Sequence, residues 1–457
     1  MRTVSRRGAA GRWRELRPTA VLVSLTALTL VAAGLVSCRT GGGAAPSARP
    51  EGLRLAGEPD LRVRIVPRTD AVRLRTENGA GLRLTDPDGG AETIAVSGAV
   101  RVAAGGRGFE VEAPGVGRAM RAWAVVARGD DPIVVETSDS AITVGETVEL
   151  RRVATGAEPR FDVIAILPME RYLVGVLAGE LYASWEPAAY EAQAIAARSY
   201  ALHERRRSRA AGRRYDIEGS ALDQVFAGAV ENRTARDAVR ATRGMVLLDG
   251  PGTARALGTA GVLRAYYSST CGGRGADAAG IWPVTPETRF NLAEPLNAEP
   301  RDCPCDASPL YRWERRRGVD ELRARLRSWG RATGHGVMLI GRPVSIRRTA
   351  ENAAGRPERY EIRDADGREH SLTAEELRVG LNARAPDLEP IGRDRRVPSG
   401  DLGAEIRGDE IVLDGRGFGH GVGLCQFGAQ GYALRGVEPR DMLERFYPGS
   451  SIATLYE

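Results

Sequence analysis

No lysine occurs anywhere in the 457 residues, so all 65 basic side chains are arginine. A Walker A loop needs a lysine that reaches phosphate, and a Schiff base needs a primary amine; both chemistries are excluded. Histidine is nearly as scarce: His203, His335, His370 and His420 are scattered, and none stands at ligand spacing from another. Long apolar runs are missing apart from Ala20 to Val36, and with 42% hydrophobic and 27% charged residues the composition is neither that of a polytopic membrane protein nor that of a disordered chain. The length allows two or three domains.

The net charge of +6 is concentrated at one end. Arg2, Arg6, Arg7, Arg12, Arg14 and Arg17, against the single acid Glu15, carry most of it, and the rest of the chain is close to neutral. A nucleic-acid partner is therefore not expected. The arginine-rich start, the apolar run and the small residues that follow read as a signal peptide over 1–37. Leu35-Val36-Ser37-Cys38 resembles a bacterial lipobox, which implies that Cys38 carries a lipid and that residues 38–56, rich in Gly, Ala, Pro and Ser, form a tether. Whether the run is cleaved or kept as a signal anchor, the body is expected outside the cytoplasm, held at a membrane.

With Cys38 set aside, Cys271, Cys303, Cys305 and Cys425 remain, and in an oxidising compartment pairing is expected. A disulfide from Cys271 to Cys303 or Cys305 is favoured; the C-x-C pair could also be half of a zinc site, but no histidine stands beside it.

Short alternating runs, such as Leu61-Arg62-Val63-Arg64-Ile65, Val72-Arg73-Leu74, Leu82-Arg83-Leu84 and Phe109-Glu110-Val111-Glu112, are separated by turn signals at Asn78-Gly79 and Asp88-Gly89-Gly90. This pattern predicts a half-exposed, antiparallel β-module over 57–155 with no catalytic cluster. From Pro168 the period changes. Leu173, Val176, Leu177 and Glu180 fall at i, i+3, i+4 and i+7 of an expected helix, so a carboxylate continues its apolar stripe. Such a carboxylate resists ionisation and can donate a proton near neutral pH; the alternative is a frayed helix end at Gly179 and a solvated acid. A second, alanine-rich helix is expected over Ala188 to Leu202, with Ser184 as N-cap and Pro187 in its first turn. Residues 331–411 read as further β-structure with a turn at Asp364-Ala-Asp-Gly367 and a short helix near Thr373 to Val379.

The segments Pro168-Met-Glu-Arg-Tyr-Leu173, Gly175-Val-Leu-Ala-Gly-Glu-Leu181 and Ala192-Gln-Ala-Ile-Ala-Ala-Arg-Ser-Tyr-Ala201 resemble the signature of the stage II sporulation protein D (SpoIID/LytB) family. The resemblance continues through Asp223-Gln-Val-Phe226, Tyr266-Tyr-Ser-Ser-Thr-Cys-Gly-Gly273, Gly415-Arg-Gly-Phe-Gly-His-Gly-Val-Gly-Leu-Cys-Gln-Phe-Gly-Ala429 and Phe446-Tyr-Pro-Gly449. It implies an α+β fold: a β-rich N-terminal region followed by a catalytic domain over 156–457, with a helical pair carrying the active-site glutamate. It further implies a peptidoglycan lytic transglycosylase that cuts the glycan between N-acetylmuramic acid and N-acetylglucosamine and leaves a 1,6-anhydro end, with Glu180 as its general acid and base. A substrate hydroxyl then replaces the second carboxylate of ordinary glycosidases.

Other polar residues of the shared segments are candidates for gripping the glycan: Arg198, Tyr200, Tyr266, Ser268, Ser269, Thr270, His420 and Gln426. The pair Gly272-Gly273 would allow close approach to a ligand. The glycines of 415–423 fit no G-x-G-x-x-G register, so they are read as a tight loop rather than a nucleotide site. A His420–Cys425 nucleophilic pair lacks a third, orienting group. Some family members bind zinc just before the Gln-Val-aromatic segment, but Tyr215 to Asp223 holds neither cysteine nor histidine, so neither metal nor cofactor is expected; a metal would have to draw on Cys271, Cys303 and Cys305. The alternative function is a non-catalytic wall-binding protein that stimulates a cell-wall amidase.

Overall fold

The computed structural model describes residues 55–88, 93–154, 158–250, 261–297 and 302–457. The leader, Cys38, most of the tether, and Gly89 and Gly90 of one expected turn lie outside the described residues. Among the described residues no helix is long and apolar enough to cross a membrane.

The alternating run at Leu61 becomes the strand Asp60–Thr69, which buries Leu61 and Val63 and turns Arg62 and Arg64 to its other face. There Arg62 pairs with Asp216 at 2.7 Å, and Arg64 pairs with Asp162 at 3.1 Å and with Glu218. Strands Ala71–Thr76, Leu82–Thr85 and Gly108–Ala113 repeat the alternation. A seven-stranded sheet runs in the order Ile217–Glu218, Asp60–Thr69, Phe161–Pro168, Thr147–Arg152, Ala124–Gly129, Leu82–Thr85, Thr93–Val96. A six-stranded sheet holds Ala141–Thr143, Ile133–Glu136, Ala71–Thr76, Val100–Gly105, Gly108–Ala113 and Val116–Met120. Pairing is antiparallel except at the edge, where Ile217–Glu218 lies parallel to Asp60–Thr69.

The strand Phe161–Pro168 lies inside the larger sheet, with Ala165 opposite both Val63 and Val148. The division expected at 155/156 thus falls between two hydrogen-bonded neighbours of one sheet. The strand runs straight into helix α1 (Met169–Glu180), whose Tyr172, Leu173, Val176 and Leu177 join a single apolar core that extends from Leu61 to Tyr456. Helix α2 spans Pro187–Ala210. It is longer than expected at both ends, and Glu186, not Ser184, is its N-cap. The proline fixes the first helical φ and forces the residue before it into extended backbone, which leaves no helical turn for Ser184 to cap. Beyond Leu202 the arginine-rich stretch is itself a good helix former.

A second core, from Trp313 to Leu413, belongs to a unit inserted after Cys305. Its outer strands Arg312–Gly318 and Glu410–Arg416 are antiparallel with Arg312 opposite Arg416, so the chain enters and leaves the unit at one point. The expected turn and helix are present as Gly367 N–H donating to Asp364 O and as Ala374–Leu381, capped reciprocally by Thr373 and Glu376. The helix Val319–Thr333 was not anticipated.

Candidate active site

Glu180 ends α1, half-buried, and both its carboxylate oxygens are engaged. The backbone N–H of Val225 donates to Oε1 at 2.8 Å, and the Gln426 amide Nε2 donates to Oε2 at 3.1 Å. Helix α1 continues through Gly179 instead of fraying, because the 224–228 strip lies directly against it. A Cβ on Gly175 would stand 2.4 Å from Gly228 O and 2.5 Å from the Phe226 ring, and one on Gly179 would stand 2.8 Å from Val225 O. Ala227 N–H closes this contact on Gly175 O. Burial pushes the Glu180 carboxyl above its ordinary range, with the two donors pulling the other way.

Two phenols feel this carboxyl: Tyr172, fully buried, and Tyr267, partly buried with its hydroxyl shielded from solvent. Tyr172 donates to Gln224 Oε1 at 3.1 Å, and Gln224 in turn donates to Ala197 O. Burial pushes Tyr172 and Tyr267 well above the ordinary tyrosine value, and the charge of Glu180 adds to the shift in both. The Tyr267 hydroxyl makes no hydrogen bond of ordinary geometry among the described residues. Tyr267, not the expected Tyr266, is thus the tyrosine of this segment that senses Glu180.

Three aromatic rings that the sequence does not single out flank Glu180 and Gln426 along the chain. Tyr182, 58% exposed, contacts Trp185 at 5.4 Å and Phe427 at 5.9 Å between ring centroids, and Trp185 meets Phe427 at 5.0 Å. Each ring is within five residues of Glu180 or next to Gln426, and that proximity was the available signal. Glu186 N–H donates to Gln430 Oε1 at 2.9 Å, fastening the start of α2 to the helix Gln426–Ala433.

The remaining expected contacts separate into three places. Arg198 does not reach the site: it is fully buried in α2, holds Glu170 with two hydrogen bonds at 2.9 and 2.7 Å, and donates to Met245 O. An arginine at an interior α2 position facing the start of α1 has no path to solvent, so its expected role as a glycan contact gives way to fastening the two helices. Tyr200 and Tyr266 stand edge-on to each other at 5.9 Å on the same side of Arg264, which donates to both phenol oxygens, and Tyr200 donates to Asp223 Oδ1. Ser268 Oγ accepts from Gly421 N–H, the Ser269 carbonyl accepts from Phe427 N–H, and Thr270 exchanges backbone hydrogen bonds with Phe418.

The glycine-rich segment is the expected tight loop, with Gly417, Gly419, Gly421 and Gly423 all at positive φ. Gly272 and Gly273 also take positive φ, but what Gly272 admits is the chain at Arg416 and Gly417, not an open ligand path. His420 sits in this loop beside Trp282, its Nδ1 accepting from Val422 N–H. Burial holds it down to about 4, so the imidazole is neutral at pH 7. The expected disulfide is not formed: Cys271, Cys303, Cys305 and Cys425 are all free and buried, and the Cys271 and Cys305 sulfurs are 3.8 Å apart.

Residues 157–248, which contain α1, α2 and Val225, match the family described as Stage II sporulation protein. An uncharacterized protein of Brachyspira hyodysenteriae is 26% identical over 291 residues, 64% of this chain and 68% of that protein. Stage II sporulation protein D of Bacillus subtilis is 24% identical over 301 residues, 63% of this chain and 75% of that protein. The amidase enhancer of Bacillus subtilis is 22% identical over 316 residues, 62% of this chain but 40% of that longer protein.

Proposed function

From the premise that the chain belongs to the stage II sporulation protein D family and has a cell-wall-related role, we propose that it is a peptidoglycan lytic transglycosylase, held at the outer side of a membrane by a lipid on Cys38. The observation that carries this reading is the setting of Glu180: a carboxyl raised by burial, oriented by Val225 and Gln426 from two sides, beside an exposed aromatic surface. The glycan strand stacks its apolar sugar faces on Tyr182, Trp185 and Phe427. Protonated Glu180 gives its proton to the glycosidic oxygen as the C1–O bond breaks. The carboxylate so formed takes the proton of the C6 hydroxyl, and the C6 oxygen closes on C1. One proton leaves Glu180, one returns, and no water is consumed. Of the other residues considered at the sequence level, Gln426 and Ser269 remain candidates for direct substrate contact, while Tyr200, Tyr266, Ser268, Thr270 and His420 support the loops around the site.

A second reading is favoured by the relative named amidase enhancer: a wall binder that stimulates an amidase, for which Glu180 chemistry is not needed. Mass spectrometry of fragments released from intact and amidase-stripped sacculi separates the two. The parent releases 1,6-anhydro ends, more from stripped glycan; Glu180→Gln releases none yet still pellets with sacculi, and Trp185→Ala pellets less. Release of equal anhydro product by Glu180→Gln would sink the transglycosylase assignment, and an inactive parent that speeds a purified amidase would establish the second reading.

A further inference from the structure

Cys271, Cys303, Cys305 and Cys425 come from three separate stretches of chain, yet their sulfur atoms all lie within 4.8 Å of one another. Read along the chain, Cys425 stands apart because the inserted unit intervenes; in space it completes the set. A disulfide requires sulfurs about 2.05 Å apart, far closer than the 3.8 Å between Cys271 and Cys305. Four thiolates at about 2.3 Å from one zinc ion in tetrahedral array have neighbouring sulfurs about 3.8 Å apart. We propose that these four cysteines bind a single zinc ion.

The surroundings suit thiolates. Cys425 Sγ accepts backbone N–H bonds from Cys271 and Gly428, both at 3.3 Å, and such donors stabilise a metal-bound sulfur. Cys425 is also the N-cap of the helix Gln426–Ala433, whose positive end favours the anion. The helix is cut away to admit the other ligands. A Cβ on Gly428 would lie 2.1 Å from Cys303 Sγ, and one on Gly431 would lie 1.9 Å from Pro304 O, so the Cys303-Pro304-Cys305 loop rests on a glycine face. Four sulfur ligands with no open position describe a structural site, and an all-sulfur tetrahedral set selects zinc over harder ions.

The ion joins three pieces. Cys271 ends the segment whose Tyr267 and Ser268 pair with Leu424 and Cys425, the C-x-C loop precedes the inserted unit, and Gln426 follows Cys425 directly and donates to Glu180. Zinc is thus a fastener one residue from a group that orients the candidate acid, and takes no part in the reaction.

The test uses the full chain, extracted in mild detergent without chelator or reductant. Elemental analysis is expected to find one zinc per chain, and denaturation with a chelator is expected to expose four thiols, mapped to these cysteines by alkylation without prior reduction. Exchange with cobalt(II) is expected to give the intense visible bands and near-ultraviolet sulfur charge-transfer absorption of a tetrahedral thiolate centre. Cys303→Ser with Cys305→Ser loses the metal. Two disulfides and no metal, four reduced thiols and no metal, or iron in place of zinc would each overturn the proposal. These readings come from the parent, so they decide the matter even if the double variant fails to fold, and they do not depend on activity.

Discussion

At Glu180 two influences oppose each other: burial favours the protonated carboxyl, while the Val225 N–H and the Gln426 amide favour the carboxylate. Burial wins, and a group raised in this way keeps its proton to higher pH, so the limb on which a general acid loses activity lies above the ordinary carboxylate range. Gln426→Leu removes one donor to the charged form. The carboxylate is then less stabilised, the pKa rises further, and the alkaline limb of kcat/KM moves to higher pH. A hydrogen bond to a charged group is worth about 1.5–3 kcal/mol, which corresponds to a displacement of roughly one pH unit or more. A pH–rate profile checks this directly. If the rate falls equally at every pH with the limb unmoved, Gln426 only holds the fold; if the limb moves down, the sign of the argument is wrong.

At the scale of elements, the site depends on how closely the 224–228 strip lies on α1. Gly175→Ala puts a methyl where Gly228 O and the Phe226 ring already are. Helix propensity alone favours alanine by about 1 kcal/mol, but overpacking costs about 1–3 kcal/mol, so the variant is expected to be less stable in urea and to lose activity, because the strip carries Val225 away from Glu180. A more stable Gly175→Ala would refute the contact as drawn. This dependence also marks what could be read from sequence. The period-2 runs and the i, i+3, i+4, i+7 stripe are local, and they pointed to the early strands, α1 and the orientation of Glu180. The Tyr182, Trp185 and Phe427 group, the choice of Tyr267 over Tyr266, the burial of Arg198 against Glu170 and the convergence of Cys425 on Cys271, Cys303 and Cys305 all arise from contacts between distant segments. No local pattern carries those. For Cys425 the sequence leaves two settings open, a pair with His420 and a place among the four thiols; in space its neighbours are the sulfurs.

For the whole molecule, the arrangement of cores bears on which pieces can stand alone. Val163, Ala165 and Leu167 are each 2% exposed or less, covered in part by strands that come from before residue 153, and the same apolar core holds Leu173, Val176 and Leu177 of α1. Cutting at 155/156 would expose both edges of the strand Phe161–Pro168 and the underside of the helix that ends in Glu180. At about 1.5–3 kcal/mol for each large apolar side chain uncovered, loss of cover over Val163, Leu167, Leu173, Val176 and Leu177 alone is comparable with the roughly 5–15 kcal/mol that usually holds a domain together. Residues 156–457 expressed alone are therefore expected to aggregate or to lack the near-ultraviolet circular dichroism of packed aromatics, whereas a chain beginning at residue 55 folds and unfolds with the β-strands and α1 in one transition. A soluble 156–457 fragment with native-like spectra and anhydro-forming activity would show instead that the β-module is a separable domain. The inserted unit supplies the contrast. Its ends meet at Arg312 and Arg416 and it has its own core; it touches the rest of the molecule through polar contacts such as Arg274 with Asp401 and Asn352 with Gly275 O, while the β-module is built into the sheet from which α1 emerges.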